Sequence, residues 1–444
     1  MNRRPRPAKR RSTKPKTAQV ELEVVRLGHR GDGIAHLEGK PVFVADSLPG
    51  ERVLARIEAG PDGRRAQPTA LLRAVERAEP PCPHYEACGG CRAQHMPEAV
   101  YAAWRLDQVK GALAAQGLPA VDVTGPVPTP PHSRRRARLA FRKTGGRTVL
   151  GFRARASHRI VDLSLCLILL PELVRLFTPL RDLLGQLACG NEGEIGLTAT
   201  DAGPDLLLHT AQTPGLADRE ALAAFAQAHD LARVAWKGPD DPMIEILAER
   251  RTPSVDLGGI AAALPPDAFL QASKTAQRLL QERVVDAVRG AARIADLFSG
   301  CGTFTLPLAQ QGAHVHAVEG SAAMAGSLQG AARLPATGGR VTVETRDLFA
   351  RPLTPTELGR FDAVVLDPPR AGARAQCEAL AASPVRRAVM VSCHPASFAR
   401  DAAILHKGGW RLAAVDVIDA FLWSDQVELV AAFGRDGEPA SEKP

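Results

Sequence analysis

A cysteine in Val391-Ser392-Cys393-His394-Pro395 follows a strand-like run, Arg387–Met390, and stands twenty-six residues after Asp367-Pro368-Pro369-Arg370. Open α/β sheets hold their ligands at the carboxyl ends of their strands, so a thiol there is placed for chemistry. A thiolate can attack covalently, and it then needs a base to manage the protons. The acid available for that role is Glu428, in Trp423-Ser424-Asp425-Gln426-Val427-Glu428, next to a late strand-like run. The pair suits one kind of reaction, modification of a pyrimidine ring carbon. C5 of uracil is a poor nucleophile. A thiolate added at C6 makes C5 reactive, and loss of the C5 proton to a base then lets the thiol leave by elimination. Cys189, Cys301 and Cys377 lack such a frame and read as packing residues.

A second group of residues frames a cofactor. Ala295 to Thr303 reads as a strand and a glycine turn that opens a helix, with Gly300 and Gly302 letting a ligand approach the backbone closely. A dinucleotide fingerprint asks for a third glycine near position 305, where Thr305 stands, which argues against a pyrophosphate. Glu319 ends the next strand, twenty-three residues after Asp296, in place to hold ribose hydroxyls. Asp347 ends the third, where an adenine amino group would be read. Asp367-Pro368-Pro369 follows the fourth, its prolines fixing the backbone near a transferable methyl group. The set fits S-adenosylmethionine rather than NAD. Amino-directed methyltransferases follow such prolines with an aromatic, and here Arg370 stands instead.

Cys82-x5-Cys88-Gly89-Gly90-Cys91 places three thiols within ten residues, a set that asks for a metal in a chain of cytoplasmic character. Cys166 is the best fourth ligand. Four thiolates suit zinc or an iron–sulfur cluster, and the spacing alone does not decide between them.

These residues need elements to position them. From Ala292 to Arg435 strands and helices alternate, with strands expected at Ile294–Phe298, His314–Val318, Val341–Thr345, Ala363–Leu366, Ala388–Val391, Leu412–Ile418 and Val427–Ala432. That pattern predicts a parallel, doubly wound sheet. Residues 265–290 read as helical, and so does Glu98–Gln116. The domain plan is a basic disordered tail over 1–17, a small OB-like barrel over 18–75, a central mixed α+β domain over 76–262 carrying the cysteines, an α/β Rossmann-like domain over 263–436, and a short tail over 437–444. The barrel reading rests on evenly spaced short strands. Its G-D-G-I-A, V-F-V and L-P-G-E-R-V segments resemble a TRAM domain, an RNA-binding barrel.

Charge points to the same partner. The 444 residues carry a net charge of +8, and eight bases with no acid fall in residues 1–16, so the remainder is balanced. Such a tail finds polyanions through phosphate contacts. From His132 to Arg159 there are ten further bases and no acid, on a predicted hairpin turning at Gly145-Gly146. An ordered, one-signed face suits nucleic acid. The longest apolar stretch, Leu163–Leu170, is too short to span a membrane. A polar amino terminus shows no signal peptide, so the expected place is the cytoplasm, with a monomer needing no obligate protein partner.

From about residue 18 onward the chain resembles the RNA uracil-5-methyltransferases, in particular the bacterial 23S ribosomal RNA branch with a TRAM domain and an iron–sulfur cluster. The resemblance implies a 4Fe–4S cluster on Cys82, Cys88, Cys91 and Cys166. It implies S-adenosylmethionine held by Gln271 (of Phe269-Leu270-Gln271), Phe298, Thr303, Glu319, Asp347 and Asp367. The nucleophile falls on Cys393 and the base on Glu428. The chain departs from the family at His394, Leu422, Gln426, Thr303 and Ser273, which puts the target uridine in question but removes no catalytic group. Transfer-RNA uridine methylation by the same chemistry is the rival within enzymes. A radical methylthiotransferase would need C-x3-C-x2-C and a barrel fold, and neither is present. A non-catalytic RNA-binding assembly factor is disfavoured by the intact Cys393, Glu428 and Asp367.

Overall fold

In the computed structural model, residues 19–60, 63–239 and 243–435 are described, and they fall in two compact units, Met1–Ala78 and Glu79–Pro444. The tails expected over 1–17 and 437–444 lie outside the described residues. No described helix is long and apolar enough to cross a membrane.

Short strands with turn residues between them build the first unit: β1 (Gln19–Glu23), β2 (Arg26–Leu27), β3 (Gly33–Leu37), β4 (Lys40–Val44), β5 (Arg52–Gly60) and β6 (Gly63–Arg73). Glu38 and Gly39 both take positive φ, the tight turn that matches strand twist between β3 and β4. The ladder runs β1-β5-β6-β4-β3-β2, and β1 and β2 are two parts of one kinked run, so the order closes on itself as the expected barrel. Leu22, Val24, Val42, Val44 and Val53 fill it.

The second unit begins with the cysteine loop and α1 (Glu98–Ala115), then β7 (Val123–Pro128). The central sheet follows: β8 (Arg136–Thr144), β9 (Arg147–Gly151), β10 (Glu192–Thr200), β11 (Gly203–Thr210), β12 (Arg233–Lys237) and β13 (Glu245–Glu249), in the order β13-β12-β11-β10-β8-β9. Helices α2 (Pro171–Val174), α3 (Phe177–Gln186) and α4 (Leu216–Ala228) pack against it. The β8–β9 hairpin turns at Gly145-Gly146 as expected. Its arginine face is not of one sign in the fold. Neighbouring β10 brings Glu192 to Arg142 and Glu194 to Arg153, at 2.9 and 3.2 Å.

A small hairpin, β14 (Ser254–Asp256) and β15 (Ala261–Ala263), precedes α5 (Lys274–Ala287). The helix is shorter than the expected 265–290. Pro265 and Pro266 lead into a turn closed by the Ala268 amide on the Pro265 carbonyl at 3.2 Å, and Ser273 caps the helix by accepting a 3.0 Å bond from the Ala276 amide. Then come β16 (Arg293–Leu297), α6 (Thr305–Gln310), β17 (His314–Glu319), α7 (Ala322–Ala332), β18 (Val341–Thr345), α8 (Pro355–Leu358), β19 (Ala363–Leu366), α9 (Arg374–Ala381), β20 (Arg387–Ser392), α10 (Pro395–Lys407), β21 (Arg411–Asp419) and β22 (Glu428–Gly434). All seven expected strands are present within a residue or two.

The sheet order is β18-β17-β16-β19-β20-β22-β21-β7. Alternate residues of its central strands serve two cores. Ala295, Leu297, Val364 and Leu366 face α1, α9 and α10, and Ile294, Val365, Val389 and Val391 face α5 and α6. Burial on both faces explains why these strands read as apolar runs. Two features depart from the sequence expectation. First, β22 pairs antiparallel to β20, so the sheet is mixed rather than parallel. Second, α1 and β7, inside the stretch 76–262, join this sheet, β7 pairing with β21.

Candidate active site

The antiparallel strand decides where the site residues meet. Ser392 of β20 pairs with Leu429 of β22, the last pair of that ladder, so Cys393 and Glu428 stand one residue beyond it at the same end of the two strands. Were β22 parallel, its first residue would sit at the opposite edge of the sheet.

Both residues line a cavity of about 650 Å³ at the carboxyl ends of the parallel strands. Its wall also holds Phe298, Gly300, Thr303, Glu319, Asp347 and Asp367, so the structure brings most of the sequence candidates together. Gly302 and Gln271 stand behind that wall. Gly302 takes φ +101°, and a Cβ there would meet Leu328 at 2.5 Å, so the turn needs glycine. Gln271 is buried and donates its amide to Asp367 Oδ2 at 3.4 Å.

The glycine turn is strained and incompletely satisfied. Phe298 adopts φ +63°, a region costly for an aromatic residue, and its ring tilts against Phe349 at 5.5 Å. Glu319 receives the Gly300 amide at 2.9 Å and the Ser321 amide at 2.7 Å, which fixes its carboxylate and leaves further lone pairs. Asp347 accepts the Phe349 amide at 2.8 Å through Oδ1. Asp296 Oδ1 and the Ser299 hydroxyl are buried with no partner among the described residues. Orphaned polar atoms beside such a turn mark a place for a polar ligand. Sequence reasoning passed over Ser299, although its position inside the glycine turn was the available signal.

Electrostatics holds the acids back. Burial and then the Asp296 charge push Asp367 up to about 7. Burial, opposed by the Thr305 hydroxyl, takes Asp296 to about 7 as well. Burial and then Asp367 hold Glu428 well above the usual carboxylate range. Burial, then Glu428 and Asp367, push the Cys393 thiol up to about 11, with Arg370 opposing. A buried carboxylate is a stronger base than an exposed one, which suits proton removal from carbon.

The residue after the thiol caps α10, His394 Nδ1 accepting the Ser397 amide at 3.3 Å. The Ser397 hydroxyl donates to the Arg370 carbonyl at 2.9 Å, tying this loop to the Asp-Pro-Pro-Arg turn. Arg134 and Arg136, two of the ten bases counted between His132 and Arg159, line the cavity, and Arg134 lies over the Phe421 ring at 5.4 Å.

Away from this cavity, Cys82, Cys88, Cys91 and Cys166 line one small void of about 20 Å³. Among the described residues, no three His, Cys, Asp or Glu side chains are placed to hold a single metal ion. Burial raises the Cys88, Cys91 and Cys166 thiols, Cys91 to about 12. The Gly90 amide donates to Cys88 Sγ at 3.4 Å, and the Ile168 and Leu169 amides serve Cys166. Arg155 binds the Cys88 and Cys91 carbonyls, and Arg134 is electrostatically coupled to Cys91 and Cys166.

The TRAM domain family model matches residues 17–60. The chain is 40% identical over 426 residues to an RNA methyltransferase of Brucella suis, covering 95% of this chain and 99% of that one. It is 35% identical over 443 residues to the 23S rRNA (uracil(1939)-C(5))-methyltransferase of Halomonas elongata, covering 92% and 88%. Its fold is similar to the crystal structure of the Pyrococcus abyssi tRNA (uracil-54, C5)-methyltransferase in complex with S-adenosyl-L-homocysteine, with TM-score 0.72 and 22% identity over 93% of this chain and all of that one.

Proposed function

The chain belongs to the family of RNA uracil-C5-methyltransferases, and from that premise we propose that it methylates C5 of a uridine in ribosomal RNA through a bond from Cys393 to C6. The observation that carries the proposal is that Cys393 and Glu428 line one cavity, each one residue beyond the last pair, Ser392 with Leu429, of the β20–β22 ladder.

In this reading the Cys393 thiol gives its proton to solvent and its sulfur adds to C6, pushing the C5–C6 electron pair onto C5 and the adjoining carbonyl. S-adenosylmethionine supplies an electrophilic methyl group to C5 when bound. Glu428 then takes the C5 proton, the C5–C6 double bond reforms, and the C6–S bond breaks to return the thiolate. The glycine turn with Gly300, Gly302 and Thr303 receives the cofactor, where Ser299 and Asp296 have unmet hydrogen-bonding capacity. Glu319 holds the ribose, Asp347 the adenine edge, and Phe298, Gln271 and Asp367 complete the cradle.

We further propose that Cys82, Cys88, Cys91 and Cys166, which line one void, would hold a 4Fe–4S cluster. The thiols surround a space, amides aim at two of the sulfurs, and Arg134 and Arg155 offset the negative charge that four thiolates bring. The cluster's role is structural, since nothing in the transfer above moves an electron. A brown protein with iron and acid-labile sulfide supports it. A colourless one with stoichiometric zinc refutes it.

Ribosomal RNA is favoured by the relative that shares over a third of its residues with this chain. The transfer-RNA reading rests on fold likeness alone, and the assembly-factor reading would leave Cys393 and Glu428 without a purpose. A cytoplasmic monomer completes the proposal. Purified Cys393→Ala should neither methylate RNA nor bond to it. Glu428→Gln should accumulate a denaturant-stable RNA adduct. Wild-type methylation by Cys393→Ala would overturn the mechanism. Mapping the uridine that loses its methyl group on gene deletion identifies the target.

A further inference from the structure

Eight residues, 420–427, join β21 to β22 and end at Glu428, and this loop has no helix or strand of its own. It is fixed instead by two side chains of α1. Arg105, fully buried, donates from Nη2 to the Phe421 carbonyl at 2.9 Å and from Nη1 to the Gln426 carbonyl at 2.7 Å. One guanidinium therefore closes both ends of the loop. Asp419, the last residue of β21, holds that guanidinium at 2.8 Å.

Tyr101, one turn earlier on the same helix face, holds the middle. Its hydroxyl donates to Asp419, at 2.8 and 2.9 Å from the two oxygens. It accepts from Arg105 at 2.6 Å and from the Trp423 amide at 2.9 Å. One donor and two lone pairs are all that a hydroxyl has, so every bond it can make is in use. Trp423 sits at φ +58°, a conformation an aromatic residue keeps only where its surroundings impose it. Its carbonyl is held from the other side by the Arg92 and Ala93 amides, at 2.6 and 3.1 Å, directly after Cys91.

We infer that Tyr101 and Arg105 are positioning residues for the base: they hold the 420–427 loop so that Glu428 meets the C5 proton, and through Trp423 they share this task with the cysteine loop. The inference rests on the proposed role of Glu428. It locates the effect at adduct resolution rather than at adduct formation, because Cys393 reaches the cavity from β20, which the clamp does not touch.

Arg105→Ala would leave Asp419 buried without its cation and endanger the fold, so the sharper probe is Tyr101→Phe, with Arg105→Lys as the second variant. The measurements are the rates of RNA adduct formation and resolution, with amide hydrogen exchange over 420–428 and a thermal melt. Tyr101→Phe should form the adduct at the wild-type rate and resolve it about tenfold more slowly, as an unmet buried polar group in the clamp would cause. Adduct then accumulates as in Glu428→Gln, while exchange over 420–428 rises. Arg105→Lys, which keeps the charge but reaches fewer carbonyls, should behave alike. Faster exchange with wild-type resolution would overturn the inference, as would equal slowing of both steps. A Glu428→Gln enzyme that formed no adduct would overturn the reading of Glu428 beneath it, and that failure appears in a variant where Tyr101 is intact.

Discussion

Asp296 keeps a carboxyl in a place that costs the fold stability. It is fully buried, one oxygen has no partner, and burial takes it from an ordinary value of 3.8 up to about 7. Below about pH 4 the group is neutral in folded and unfolded chains and carries no penalty. Between about pH 4 and 7 the unfolded chain ionises while the folded one keeps its proton, so stability falls as pH rises, and above 7 the loss is complete. Asp296→Asn removes the titration. Between about pH 5 and pH 8 the variant should lose on the order of 2 kcal/mol less stability than wild type, read from urea melts at the two pH values. Equal losses would show that the carboxyl ionises freely in the fold. Of the residues around the cavity, those carried by glycine turns and strand ends were legible in the sequence: Cys393, Gly300, Glu319, Asp347 and Asp367. Tyr101 and Arg105 were not, because a tyrosine and an arginine four apart in a helix look like an amphipathic face until Asp419 is seen beneath them.

At the level of elements, strand existence was legible and strand direction was not. Each of the strands β16 to β20 is followed by a helix, whereas β21 and β22 are separated by only eight residues. A connection that short suits an antiparallel pair, since a parallel crossover needs a dozen residues or more. The signal was present in the loop length, and its consequence is that Glu428 and Cys393 come to the same end of the β20–β22 ladder and line one cavity. Helix α5 shows a similar economy of means. Ser273 caps it, and downstream Gln277 accepts from Arg135 at 2.6 Å while Gln281 donates to the Thr303 carbonyl at 2.8 Å. The helix thus braces the glycine turn from outside the cavity. Ser273→Ala should cost about 1 kcal/mol of stability in denaturant melts, and Ser273→Asn should restore it, since both serine and asparagine accept the amide of the first turn. Equal losses in the two variants would mean that the hydroxyl packs rather than caps.

The whole molecule divides its labour by charge. Residues 1–78 carry seventeen Lys and Arg against nine Asp and Glu, so the entire net charge of +8 belongs to the first unit, and residues 1–16 alone supply it. The second unit is neutral in sum; Arg142 and Arg153 are paired with acids of β10, and Arg134, Arg136 and Arg138 line the cavity wall. Sequence alone exposed the basic tail and the barrel, but not the partition of α1 and β7 into the far sheet, because contacts between distant segments leave no local pattern. Every residue of the main cavity lies beyond position 133, and the barrel has a core of its own. Removing residues 1–16 should therefore flatten the salt dependence of RNA binding, by up to about 0.7 in log–log slope for each phosphate that the tail engages, while leaving cofactor affinity within about twofold. Removing residues 1–78 should weaken RNA binding further at high salt, where counterion release contributes least and the barrel face dominates. Titrations of RNA at several salt concentrations, with cofactor binding measured in parallel by calorimetry, separate the two deletions. Should the shorter deletion leave the slope unchanged, the tail would be a solubility device and the RNA-binding charge would have to lie on the second unit. Should the longer one abolish cofactor binding, the barrel would be part of the catalytic fold rather than an appendage that grips the substrate.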